Sequence, residues 1–228
     1  MTEKPYRQLI GCLTYLMINT RPDICFALNY FNKFQNNATD EIWKYLTRIL
    51  RYIKGTVNYA LTFKADDNQG LEAYSDSDWA NEEDRKSISG YMYKWNGQTI
   101  LWSTKKQHCI SLSTAEAELK SVCTCIQDGL WLKKIFKDLQ MNIDKIVLYE
   151  DNQACISIIK IPDNIRRTKH IDIKYRFVCD KVKSGEIEVK YIDSKGQLAD
   201  IFTKGLSKVI FRNFVATLNL ENFSEGER

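Results

Sequence analysis

Seven acidic residues lie where predicted strands end or along predicted helices, and side chains at such positions can hold a metal ion. Open sheets gather functional side chains at the ends of neighbouring strands. Carboxylates that converge there from four elements would form an oxygen-only cage, which suits Mg²⁺ or Mn²⁺ rather than zinc. The candidates are Asp76 and Asp78 at the end of the first strand, Glu116 and Glu118 in the first turns of a long helix, Glu150 and Asp151 at a strand-to-helix junction, and Asp200 inside a final helix.

The residues alone leave the choice within this set open. Asp76 and Asp78 are two apart, so they share one face of a strand. Glu116 and Glu118 both fall near the flanks of the apolar stripe of their helix, on opposite sides. Taken singly, each acid also has an ordinary explanation: Glu116 completes a capping box, and Asp151 is a favourable N-cap. The spacing is therefore compatible with a metal site and with a set of structural acids.

The elements that must position these acids change in character near residue 70. Residues 1–65 predict three helices and no strand, and the third helix begins after the N-cap Thr39. The following region predicts a hairpin that turns at Asn96-Gly97 and alternating strands and helices, which together indicate a mixed sheet. The predicted strands outside the hairpin cover residues 71–76, 145–149 and 186–192. The predicted division of the chain is a small helical segment over residues 1–65, an α/β domain over residues 71–206 and a C-terminal tail over residues 207–228.

The charge of the chain is concentrated in two basic blocks. The 228 residues carry a net charge of +4. Residues 1–65 hold nine basic against four acidic residues, and residues 160–176 hold six against two. These blocks fit a surface that binds a polyanion, and solvated helix faces explain them equally well. No apolar run approaches the roughly 18 residues that span a bilayer, so we expect no membrane partner.

The cysteines argue against a zinc site. The chain has seven cysteines and two histidines, and no two cysteines form a C-x-x-C pair. Small buried hydrophobic side chains in a reducing compartment explain this usage.

The segment from Tyr74 to Leu206 resembles the ribonuclease H domain of copia-type LTR retrotransposon polyproteins. The upstream stretch "YRQLIGCLTYLMINTRPDICFALNYFNKF" resembles the region that links the polymerase thumb to that domain, so the resemblance covers nearly the whole chain. Four blocks carry the resemblance of the α/β region in the family's order: "YSDSDWA" with "DRKSISGY", "WSTKKQHCISLSTAEAEL", "LYEDNQACISI", and "RTKHIDIKYRF" with "VKYIDSKGQLADIFTKGL".

The resemblance implies a ribonuclease H-like fold, which is a three-layer α/β architecture with a mixed five-stranded sheet and helices on both faces. It also implies that two Mg²⁺ (or Mn²⁺) ions support hydrolysis of the RNA strand of RNA–DNA hybrids during reverse transcription. Carried over residue by residue, the catalytic and metal-binding carboxylates are Asp76, Glu118, Asp151 and Asp200. By analogy, Asp76 bridges both ions, Asp151 and Asp200 lie on the side of the attacking water, and Glu118 lies on the leaving-group side.

Several polar residues near these acids are candidates for contact with the hybrid. Basic side chains would position phosphates, and polar groups near the minor groove would meet the 2′-hydroxyl of the RNA strand. His170 lies in the "TKHIDI" block, and related nucleases often have a mobile histidine near the metals, although a structural role is equally compatible here. The candidate substrate-binding residues are Lys105, Lys106, Ser113, Thr114, Gln153, Arg167 and Lys169, and for several of them capping or turn chemistry is the alternative.

A few positions depart from the family's usual pattern. Ile165 stands near the expected place of a histidine, and "YRF" and "TKGL" replace the commoner "YHF" and "TKPL". The aspartate pair of the polymerase palm is not in the chain, so we expect it to work with upstream reverse transcriptase domains of the same polyprotein. The expected location is the cytoplasm, within a virus-like particle, with the nucleus as the alternative. Two functions remain open: an active hydrolase, and a catalytically inactive nucleic-acid-binding remnant.

Overall fold

The chain forms two compact units, one made of residues 1–64 and 205–228 and the other of residues 65–204. A computed structural model describes residues 4–64, 70–160 and 169–223, without the side chains of residues 169–172. Among the described residues, no helix is both long enough and apolar enough to cross a membrane.

The first unit contains the three helices that the sequence predicts. They are α1 (Tyr6–Asn19), α2 (Cys25–Asn32), which follows a short 3-10 helix at Pro22–Ile24, and α3 (Asp40–Gly55). The predicted N-cap Thr39 accepts a hydrogen bond from the backbone N–H of Ile42 at 3.2 Å, which satisfies one free donor of the first turn. Apolar side chains of all three helices form one core, including Leu13, Leu28 and Leu46.

An ion pair is buried beside this core. The Arg21 guanidinium donates to both carboxylate oxygens of Asp23, at 3.0 and 2.8 Å, and the Tyr52 hydroxyl donates to the same carboxylate at 2.6 Å. Arg21 also donates to the hydroxyl and the carbonyl of Thr56, at 2.7 and 3.2 Å. Each charged group of the pair is therefore matched by several partners, as a buried charge requires.

Residues 207–228, expected from the sequence to be a tail, contain regular structure that belongs to the first unit. Helix α7 (Lys208–Thr217) is followed by a short strand, Leu220–Asn222, which is β7 in chain order. This strand pairs antiparallel with β1 (Tyr59–Leu61), so the prediction of no strand in the N-terminal region was wrong. Strands of three residues carry too little alternation to be read from a sequence.

The second unit contains a mixed five-stranded sheet, as expected. Its strand order is β4-β3-β2-β5-β6, with β2–β3 and β3–β4 antiparallel and β2–β5 and β5–β6 parallel. This order and these directions are those of a ribonuclease H-like fold, and the predicted fold class is confirmed. The strands are β2 (Leu71–Asp78), β3 (Ile88–Trp95), β4 (Gln98–Lys106), β5 (Ile146–Glu150) and β6 (Ile187–Tyr191).

Helices cover both faces of this sheet, although unequally. Helix α4 (Thr114–Asp138) packs against one face, where the Ser75 hydroxyl of β2 donates to the Ser121 hydroxyl at 3.0 Å. Helices α5 (Gln153–Lys160) and α6 (Lys169–Lys183) contribute side chains to the same apolar core. The opposite face carries a short 3-10 helix, Leu198–Phe202, which packs over β3.

The single final helix that "KGQLADIFTKGL" predicts is absent, because this segment forms two 3-10 helices, Ser194–Gly196 and Leu198–Phe202. Side chains fasten the segment to the sheet. The Gln197 amide donates to the Ser75 carbonyl at 2.9 Å, and the Thr104 hydroxyl donates to the Phe202 carbonyl at 2.7 Å. These contacts hold the chain flat against the strands, so a regular α-helix does not form.

Candidate metal centre

The parallel pairing of β2 with β5 brings two aspartates to the same edge of the sheet. Tyr74 lies opposite Tyr149 in this pairing, and their rings stack with centroids 4.9 Å apart. Asp76 and Asp151 each follow two residues later, so both lie at the same level along their strands. Asp76 is the sixth of the eight residues of β2, whereas Asp151 follows the last residue of β5.

Glu118, in the second turn of α4, completes a cluster of three acids. One carboxylate oxygen from each of Asp76, Glu118 and Asp151 lies within 4.8 Å of the others. Asp76 is 3% exposed and Glu118 is 6% exposed, and the buried Oε2 of Glu118 has no hydrogen-bond partner within the described part of the chain. A buried carboxylate oxygen without a donor is costly unless a cation compensates it. This all-oxygen donor set fits a hard divalent ion such as Mg²⁺ or Mn²⁺.

Two acids of the cluster, Asp76 and Glu118, have raised pKa values. Burial raises the pKa of Asp76 to about 6, and the negative charges of Asp200 and Asp151 add to this rise. Burial also raises the pKa of Glu118 well above its usual range, with further contributions from Glu150 and Asp76. A divalent cation would oppose both causes, because it would supply favourable charge interactions to carboxylates that are largely buried.

Asp200 lies outside this group of three, but its charge acts on Asp76, and one glycine lets its 3-10 helix approach the sheet. Gly90 lies opposite Asp76 in the β2–β3 pairing. A Cβ atom at Gly90 would lie 2.6 Å from Thr203 Cγ2 and 2.8 Å from Phe202 Cβ, so any larger residue there would push the 3-10 helix away. The Thr203 hydroxyl, held by this approach, donates to Asp76 Oδ2. Burial raises the pKa of Asp200, against the effect of its ion pair with Lys204.

Two hydrogen bonds show that Asp151 does not cap the helix that follows it. The Ser194 hydroxyl donates to Asp151 Oδ2 at 2.6 Å. Asn152 Oδ1 accepts from the backbone N–H of Cys155 at 2.9 Å, so Asn152 caps α5 and Asp151 does not. The capping explanation for Asp151 is therefore wrong.

The remaining acids of the sequence set have other partners. Glu116 accepts from the backbone N–H of Leu112 at 2.9 Å and pairs with Lys120 at 2.7 Å, so its carboxylate is engaged in capping the start of α4. Asp78 accepts from the side chain of Asn81 at 3.0 Å and 3.3 Å. Glu150 is fully buried on the core side of β5, and burial raises its pKa well above its usual range. None of these three belongs to the cluster around Asp76.

The candidate substrate contacts are only partly described. Lys106 pairs with Asp84 at 2.9 Å and with Glu82 at 3.4 Å, so its charge is already matched. The Ser113 hydroxyl accepts from the backbone N–H of Glu116 at 3.2 Å as the N-cap of α4. The residue Arg167 and the side chains of Lys169 and His170 lie outside the described residues, whereas Lys105, Thr114 and Gln153 are exposed.

Sequence reasoning missed the residues that support the acids. Ser194 donates a hydrogen bond to Asp151, and Thr203 donates one to Asp76. Gly90 allows the 3-10 helix to approach the sheet. Lys204 forms an ion pair with Asp200. A glycine inside a strand pattern signals close approach of another backbone, and Gly90 gave that signal. Thr203 and Lys204 lie in the "TKGL" part of the final block.

Comparisons with known proteins identify the group to which this chain is related. No protein-family model matches it. It is 36% identical over 217 residues to the retrovirus-related Pol polyprotein from transposon RE1 of Arabidopsis thaliana, a match that covers 94% of this chain and 15% of that protein. It is 36% identical over 205 residues to the corresponding polyprotein from transposon TNT 1-94 of Nicotiana tabacum, covering 90% of this chain and 15% of the relative. The chain belongs to the copia-type Pol polyproteins.

This Pol segment spans about 15% of the length of those two relatives. Among solved structures it is similar to a ribonuclease H1 isolated from compost, with 13% identity and a TM-score of 0.47, over 60% of this chain and 94% of that one.

Proposed function

We propose that this Pol segment hydrolyses the RNA strand of RNA–DNA hybrids during retrotransposon reverse transcription, as a ribonuclease H that uses two Mg²⁺ or Mn²⁺ ions. The observation that carries the proposal is the meeting of Asp76, Glu118 and Asp151 within 4.8 Å at one edge of the sheet. These acids are an oxygen-only donor set in a chain of the copia-type Pol family, and that combination favours metal-assisted hydrolysis of a phosphodiester.

Four carboxylates would hold the ions: Asp76, Glu118, Asp151 and Asp200. When bound, two such ions supply an activated water and stabilise the leaving oxygen. In this proposal Asp76 would help to hold both ions, Asp151 and Asp200 would help to hold the ion that activates the water, and Glu118 would help to hold the ion that stabilises the leaving group. The chain's own contribution is orientation, because Thr203 fixes one oxygen of Asp76 and Ser194 fixes one oxygen of Asp151.

The proposed substrate is an RNA–DNA hybrid, and the proposed partners are the upstream reverse transcriptase domains of the same polyprotein. In this assignment residues 1–65 are the segment that links the polymerase thumb to the ribonuclease H region. The exposed side chains of Lys105, Thr114 and Gln153 are available to contact the hybrid. The proposed location is the cytoplasm, within a virus-like particle.

Cleavage of a labelled hybrid by the purified 228-residue chain tests this function. We expect cleavage of the RNA strand with Mg²⁺, none with EDTA, and loss of cleavage in Asp151→Asn. Asp180→Asn is the matched control, because Asp180 is an exposed aspartate of α6 in the same unit and should leave the rate unchanged. A DNA duplex serves as the substrate control. Hybrid binding without cleavage would overturn the proposal and favour a catalytically inactive nucleic-acid-binding remnant.

A further inference from the structure

A lysine ammonium lies among the acids of the candidate metal centre. Lys204 follows the 3-10 helix that carries Asp200, and its Nζ lies 2.8 Å from Asp200 Oδ1 and 3.8 Å from Asp76 Oδ2. Its side chain is 40% exposed, whereas the two carboxylates are largely buried. The ammonium therefore approaches the buried acids from the solvent side.

The position of this ammonium places it in competition with any divalent ion that binds the same carboxylates. A cation bound by Asp76 and Asp200 needs the carboxylate oxygens with which Lys204 interacts. Two cations that share the same oxygens repel each other, and at such short range the repulsion is large unless water screens it. The lysine side chain is long and flexible and its ammonium is a compact, strongly hydrated charge, so it can withdraw into solvent.

We propose that Lys204 is an internal counter-ion that competes with divalent metal for Asp76 and Asp200, and that it thereby sets the Mg²⁺ concentration at which the acid cluster fills. This inference rests on the proposed function for the role of the metal, but it concerns binding and not cleavage. Lys204 stabilises the buried acids when the Mg²⁺ concentration is low, and its ammonium is displaced into solvent when the Mg²⁺ concentration is high.

An ordinary surface ion pair would behave differently. Exposed pairs contribute little to stability, and their contribution does not depend on a metal ion bound elsewhere. Lys181 provides such a comparison within the same unit, because its Nζ lies 2.8 Å from Glu186 Oε1 and its side chain is 29% exposed. Neither Lys181 nor Glu186 is part of the acid cluster.

The test compares Lys204→Met, Lys204→Arg and Lys181→Met in the full chain. Isothermal titration with MgCl₂ measures metal affinity, and thermal unfolding is followed in EDTA and in Mg²⁺. We expect Lys204→Met to bind Mg²⁺ about threefold to tenfold more tightly, in line with the loss of one competing charge at a partly exposed site. Its Tm should fall in EDTA and recover with Mg²⁺, because a ligand that binds only the folded state stabilises it.

The two other variants make this expectation specific. Lys204→Arg keeps the charge and should retain the Mg²⁺ affinity of the natural chain, and Lys181→Met should leave affinity and the Mg²⁺ response of the Tm unchanged. Unchanged or weaker Mg²⁺ binding in Lys204→Met, or no Mg²⁺ binding in either chain, would overturn the inference. Lys204→Gln provides a second neutral variant if the methionine variant does not fold.

Failure of this inference can be told apart from failure of the proposed function. Mg²⁺-dependent cleavage together with unaltered affinity in Lys204→Met would reject the counter-ion role alone. Absence of cleavage together with tighter Mg²⁺ binding in Lys204→Met would reject the hydrolase and leave the counter-ion role standing.

Discussion

Buried acids differ between the two units of this chain in how fully their oxygens are hydrogen-bonded. In the helical unit, the Asp23 carboxylate receives two bonds from Arg21 and one from Tyr52. In the α/β unit, the buried Glu118 keeps one oxygen without any hydrogen-bond partner among the described residues. Protein groups satisfy both oxygens of the first acid, whereas the described part of the chain leaves one oxygen of the second without a donor.

This difference separates structural acids from acids that can bind a ligand. A buried carboxylate that is fully paired gains nothing from a metal ion, because its oxygens already have donors. A buried carboxylate beside other acids has a raised pKa, as Asp76 has, and gains from any cation that reaches it. Burial alone would have placed Asp23 and Asp76 in the same class, since they are 4% and 3% exposed.

The largest expected effect concerns the two aspartates of β2. Asp76→Asn should lower the rate of hybrid cleavage by roughly 10²–10³-fold or more, the scale for removing a group that stabilises developing charge. Asp78→Asn should change the rate several-fold at most, because Asp78 lies outside the acid cluster and accepts from Asn81. Initial rates at saturating Mg²⁺ make the comparison. A larger loss in Asp78→Asn would show that the assignment of the metal ligand in this strand is wrong.

Stability measurements without metal test the contrast between the buried acids of the two units. Asp23→Asn leaves the buried Arg21 without its counter-charge and should cost about 3 kcal/mol of unfolding free energy. Asp76→Asn should cost less than about 1 kcal/mol in EDTA, or stabilise the fold, because it removes a buried charge that other acids repel. Urea unfolding of both variants in EDTA measures the two values. Equal losses would mean that Asp76 is a structural acid like Asp23.

A smaller effect is expected at Gly90. Gly90→Ala places a methyl group against Thr203 and Phe202 and should cost about 1–3 kcal/mol, as other forced overpacking does. Hybrid cleavage should fall as well, because the 3-10 helix that carries Asp200 moves. Gly11→Ala is the control: its Cβ would meet no atom of the described residues within 4 Å, and alanine in α1 should stabilise by up to about 1 kcal/mol. Unchanged cleavage and stability in Gly90→Ala would show that the close approach is not needed.

Local signals in the sequence predicted most of the fold. Thr39 does begin a helix, and Asn96 and Gly97 do turn a hairpin with positive φ at both residues. The pairing of β1 with β7 was missed because its partners are about 160 residues apart in sequence and each strand has three residues. Such pairings depend on the assembled fold and leave no local pattern.

The candidate site could be predicted only in part. The acids could be found at predicted element ends, but residues two apart on a strand share a face, so no local argument ranks Asp76 above Asp78. The structure distinguishes them through contacts made by Thr203 and through the approach that Gly90 permits. Those contacts come from a segment that follows more than 100 residues later, and its 3-10 form depends on the sheet to which it is fastened.

The short β1–β7 pairing has a consequence for the architecture of the chain. Residues 62–219 leave and return through two adjacent antiparallel strands, and the backbone N–H of Thr62 donates to the carbonyl of Asn219 at 3.0 Å. In sequence, the α/β unit of residues 65–204 is thus inserted into the helical unit, whose strands β1 and β7 precede and follow it and pair with each other. Replacing residues 65–204 with a short flexible linker should leave a helical protein that folds by itself, and the excised segment could be transplanted as a cassette.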